Sequence, residues 1–131
     1  MNGSNLNNVP LNFGRYIAVA EYLLFARTDQ LNGSGQMFVP TALRQPRLFF
    51  VDTIKKIHGY KRHKRPDFYT NAQEETRAYK DVDDILASII DSFPSEGIPA
   101  HFNHSDQTII MLNYNKQKDE LYAIAKEENN G

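Results

Sequence analysis

The chain has 131 residues, 40% of them apolar and 24% charged, with a formal net charge of −1 and no cysteine. That length fits one domain able to bury a core without metal or disulfide staples, and the missing thiols exclude a disulfide framework, a thiolate metal site and a cysteine nucleophile. Charge is polarised along the chain, because residues 44–80 hold ten Lys/Arg against four acids while the remainder is acidic; this calls for an anionic partner or a match between the two parts.

Residues 1–10 are polar, rich in Asn and aperiodic, so a flexible lead is expected. No basic segment precedes an apolar one there, so a secretory signal is not expected and the reading is cytoplasmic. A first helix is predicted from Phe13 to Asp29 with Asn12 as its N-cap. Phe13, Tyr16, Ile17, Ala20, Leu23 and Leu24 share one face, and Ala18, Val19, Tyr22 and Phe25 extend the apolar character round the helix. A helix apolar nearly all round belongs at the centre of its domain. Its unbroken run, Tyr16–Ala26 with Glu21 inside it, covers roughly 16 Å, about half a bilayer core. Glu21 is read either as a buried acid of raised pKa or as a group that reaches solvent or a basic partner. Asn32-Gly33-Ser34-Gly35 reads as a turn.

Gln36–Val39 is predicted as a short strand closed by Pro40. A second helix is predicted over Pro46–His58, with proline at its first position, Gly59 just past its end, and Phe50, Val51, Ile54 and Ile57 facing the core. Tyr60–Tyr69 is a basic connector containing Pro66, and Thr70-Asn71-Ala72-Gln73 has capping-box spacing. Val82, Ile85, Leu86, Ile89, Ile90 and Phe93 form one stripe of a helix stopped by Pro94 and Gly97. Asp81, Asp83 and Asp84 suit its start. Ile98–His104 and Gln107–Asn113 are predicted as a hairpin turning at Ser105-Asp106, followed by a terminal helix over Lys116–Asn129 whose last residues, 126–131, fray.

The fold expected is therefore a single α+β domain, residues 1–131, with three to four helices on a small, two- to three-stranded antiparallel sheet and a C-terminal hairpin. This element order resembles that of winged-helix DNA-binding domains. About twenty residues, however, replace that family's tight turn ahead of Val82–Phe93, and the acids at the start of that helix oppose a phosphate groove.

Lys55, Lys56, Lys61, Arg62, Lys64 and Arg65 fall within eleven residues, with His58, Tyr60 and His63 among them and Phe68 and Tyr69 close behind. Nucleic-acid binding needs cations to displace condensed counterions, and aromatic rings to stack on unpaired bases. Lys55, Lys56, Tyr60, Lys61, Arg62, His63, Lys64, Arg65 and Tyr69 are accordingly the candidate nucleic-acid or polyanion-binding residues. The bland reading is a solvated run neutralised by Asp81–Asp84 and Asp91.

Other constellations are thinner. His101, His104 and Asp106 form an H-x-x-H-x-D grouping on the predicted hairpin, but the two histidines, three apart, face opposite sides of the strand, and Asp67, Glu75 and Lys80 have only loose metal-nuclease spacing. No nucleophile elbow, phosphate-binding loop or dinucleotide fingerprint is present. The functional expectation is a non-enzymatic module without cofactor or membrane association, binding nucleic acid or another polyanion. The alternative is a protein-interaction factor, assembly or inhibitory, of the kind phages and mobile elements carry, meeting an acidic protein surface. A small metal-dependent nuclease comes third.

Overall fold

The computed structural model describes residues 2–25, 38–63 and 79–130. They form five helices: α1 (Asn2–Phe25), α2 (Val39–Arg44), α3 (Pro46–His63), α4 (Tyr79–Ser92) and α5 (His104–Asn130). Among the described residues there is no strand, so the α+β expectation is overturned, and with it the antiparallel sheet, the hairpin and the winged-helix order.

The hairpin fails at Asn103. Its side-chain oxygen accepts the Asp106 N–H at 2.8 Å, and its carbonyl accepts the Gln107 N–H at 2.9 Å. Asn103 is thus an N-cap, and the acid three residues on sits where the helix dipole favours it. The segment Ser105-Asp106, expected to turn a hairpin, lies instead in the first turn of α5. Ile110, Tyr114, Gln117 and Leu121 then fall at 0, 4, 7 and 11, and all four are buried. The β-prone run Ile109–Leu112 is overridden by that 3.6-residue period, which the tertiary contact rewards. In the same way Val39 and Pro40 open α2 instead of closing a strand; proline is tolerated there because a first-turn N–H has no intrahelical partner.

α1 is the centre, as its all-round apolarity predicts. It packs against α3, α4 and most extensively α5. It begins eleven residues before Phe13, so Asn12 is a buried mid-helix residue rather than a cap. Its side chain accepts from Arg15 Nη1 at 3.3 Å, while Arg15 Nε donates to Gln117 Oε1 of α5 at 2.7 Å. Alongside this seam the two backbones nearly touch. A Cβ built on Gly14 would meet the Ile110 carbonyl, with the Ile110 C and Cα both at 3.1 Å. Only glycine permits that approach.

Two further bonds set α3. Thr53 Oγ1 donates to the Phe49 carbonyl at 2.8 Å, so the Tyr16 hydroxyl, 2.6 Å away, donates to it. Burial holds the Tyr16 phenol well above its ordinary pKa. Phe13, Tyr16, Phe38, Phe49, Phe50, Phe93 and Phe102 interlock around this point, with ring centroids 4.9–6.5 Å apart. The stripe predicted for α4 holds: Val82, Leu86 and Ile89 are buried, and Ile85, Ile90 and Phe93 pack against the core. After α4 the Gly97 N–H bonds to the Pro94 carbonyl at 2.9 Å, and Gly97 takes φ +89°, which closes the turn into the extended connector. Among the described residues no helix is long and apolar enough to cross a membrane.

Gly14→Ala raises helix propensity by about 1 kcal/mol, yet it forces α1 and α5 apart at their tightest point. The expected outcome is a net loss of about 2 kcal/mol, read as a lower urea midpoint with unchanged slope.

Candidate functional site

Residues 46–63 are one continuous helix through Gly59, so Tyr60–His63, expected on the connector, prolong the helix that carries Lys55 and Lys56. Lys55, Lys56 and His58 are exposed on α3. Tyr60, Lys61, Arg62 and His63 continue the same helix, and Arg62 takes the register position seven beyond Lys55. Lys64, Arg65, Phe68 and Tyr69 lie outside the described residues, as do Asp67, Glu75, the capping-box segment 70–73 and Asn32–Gly35. α3 thus carries five Lys/Arg and one acid, Asp52. Lys56 Nζ meets Asp52 Oδ2 at 3.4 Å, an exposed i,i+4 pair of small energetic weight.

Lys55 is not neutralised from α4 by Asp84 or Asp91 among the described residues. Asp84 and Asp91 are exposed and hold no ion pair there, and none reaches Lys55. α3 touches the end of α4 through apolar rings, Phe50 against Phe93 at 5.7 Å.

The structure adds residues that the charge count passed over. Leu48 is 60% exposed and Val51, expected in the core, is 41% exposed. Ile57 is buried and Phe50 and Ile54 pack against the core as expected, while Phe49 and Thr53 join the inner face in place of Val51. Four consecutive bulky residues on a helix span 300°, so Leu48-Phe49-Phe50-Val51 could never all be buried, and that signal was in the sequence. Leu48, Val51, Arg44, Arg47, Ala100 and His101 line a shallow cavity of about 440 Å³. Arg47 forms its hinge, donating Nε to the Ile98 carbonyl at 2.8 Å and so fixing the connector onto α3. A second cavity of about 410 Å³ shares Arg47 and His101 and reaches Pro10, Pro94 and Phe102.

Glu21 is a buried carboxyl on α1. It is 1% exposed, accepts the Tyr114 hydroxyl at 2.6 Å, and lies 3.9 Å from Lys118 Nζ. Both readings of Glu21 hold in part, because it is buried and also has a basic neighbour. Burial raises its pKa; Tyr114 and Lys118 favour the charged form and offset this in part. The Phe38 backbone favours the charged form as well, but no hydrogen bond of good geometry reaches Oε2 among the described residues.

His101 lies exposed on the connector and His104 opens α5. Among the described residues no group of three His, Asp or Glu is placed to hold a metal. Comparison of the chain with protein-family models, curated proteins and solved structures returns no match.

A carboxyl whose pKa is higher folded than unfolded leaves the native state holding the extra proton. Stability from Glu21 is therefore complete below its ordinary 4.5 and declines as pH rises from there towards the folded value. Urea midpoints of the native chain and of Glu21→Gln, compared between about pH 5 and about pH 8, should show a smaller decline in the variant.

Proposed function

We propose that this chain is a non-enzymatic binding module that holds nucleic acid on the outer face of α3. What carries this reading is the exposed pair Lys55 and Lys56 on a helix that continues without a break through Lys61, Arg62 and His63. Arg44 and Arg47 prolong the cationic row towards α2. From Arg47 to Arg62 the row spans roughly 22 Å of helix. Such a face acts by releasing counterions from phosphates, a sequence-independent attraction. Lys64, Arg65 and Tyr69 extend the same run in sequence and belong to the proposed surface. On this reading the chain works in the cytoplasm.

An acidic protein surface is the second reading. The exposed Leu48 and Val51 favour it, because a phosphate backbone offers them nothing apolar to cover.

A labelled oligonucleotide should be retained at low salt, with affinity falling steeply as salt rises. Lys55→Ala, Lys56→Ala, Lys61→Ala and Arg62→Ala together should abolish retention, and removing each cation that neutralises a phosphate should lower the salt slope by about 1. No retention of DNA or RNA by the native chain in low salt would sink the nucleic-acid reading.

A further inference from the structure

We infer that α3 of one molecule docks on α4 of a second copy of the same chain. This goes beyond nucleic-acid binding and uses an overlapping face. On α3 the exposed order is cation, apolar, cation: Arg47 with Arg44 beside it, then Leu48 and Val51, then Lys55. On α4 the exposed order is acid, small, acid: Asp84, then Ala87 and Ser88, then Asp91, at the 0, 3, 4 and 7 spacing of one stripe.

The two orders are complementary in length as well as in sign. Arg47 and Lys55 are eight positions apart, roughly 12 Å along the helix, and Asp84 and Asp91 are seven apart, roughly 10 Å. Placed antiparallel, each cation faces an acid while Leu48 and Val51 lie over Ala87 and Ser88, whose small side chains permit a close helix approach. Both faces are available. Asp84 and Asp91 hold no ion pair among the described residues, and the apolar patch beside the 440 Å³ cavity is uncovered there. Asp84 and Asp91, which pair with no α3 cation of their own molecule among the described residues, are matched by Arg47 and Lys55 of the second. The inference places this contact twice about a two-fold axis, each copy giving its α3 to the other's α4, which closes the assembly at a dimer.

Light scattering coupled to gel filtration tests this in about 50 mM and about 500 mM salt. The native chain should run at twice 15.1 kDa in the first and shift towards one chain in the second. Arg44→Glu with Lys55→Glu makes both faces acidic, and Asp84→Lys with Asp91→Lys makes both basic. Each variant alone should be monomeric with native circular dichroism, its self-association weakened about a hundredfold by like charges brought together. Mixed in equal amounts, they should recover the dimer mass. A native chain that stays monomeric in low salt, reversals that leave the dimer intact, or a mixture that stays monomeric would each overturn the inference. The Asp84→Lys, Asp91→Lys variant keeps every α3 cation and should still retain oligonucleotide, so loss of pairing and failure of nucleic-acid binding are read separately.

Discussion

The architecture depends on one close approach, that of the α1 backbone at Gly14 to the α5 backbone at Ile110. With no side chain between them, the two longest helices lie near enough for Arg15 to reach Gln117 and for Glu21 to reach Tyr114. Those polar bonds set the register, since a slip of one residue would strand buried hydrogen-bonding groups. The cost is carried by Glu21, whose second oxygen lacks a bond of good geometry among the described residues. A buried acid in an otherwise apolar helix thus specifies which partner face is correct while making the contact sensitive to its own ionisation.

α3 is held differently. The hydroxyl of Tyr16 and the carbonyl of Ile98 grip it at Thr53 and at Arg47, and the aromatic cluster fills the space between. Only its inner face is committed to the core. The outer face is left with cations, two aliphatic residues and a cavity, on a rigid element rather than a loop. Any partner of that face therefore meets side chains at fixed spacings.

The periodic parts of the fold were legible in the residues. The α4 stripe, the central place of α1 and the proline start of α3 follow from spacing and end chemistry. Where reading failed, a local preference met a longer-range contact. Ile109–Leu112 is β-prone, but Asn103 caps a helix and Gly14 receives it. Gly59 resembles a helix stop, yet α3 runs through it. The cationic run was visible as composition. Its continuity with Arg44, Arg47, Leu48 and Val51 was not, because a charge count ignores which face a helix turns outward. Among the candidate residues, Lys55 and Lys56 are placed with their side chains, Tyr60 to His63 as helix positions, and Lys64, Arg65 and Tyr69 lie beyond the described residues.

The Gly14–Ile110 approach also sets an order of events during synthesis. Ninety-six positions separate the two residues. Translation proceeds at about 5–20 residues per second, so α1 leaves the ribosome roughly 5–20 s before its principal partner exists. Throughout that interval the most apolar helix of the chain has no α5 to cover it. Closing so long a loop is also an entropic burden that falls late in folding. α4, the other broad neighbour of α1, is made earlier than α5. The segment best able to shield the nascent helix is therefore the amphipathic stripe of Val82, Leu86 and Ile89, well before the native core is complete.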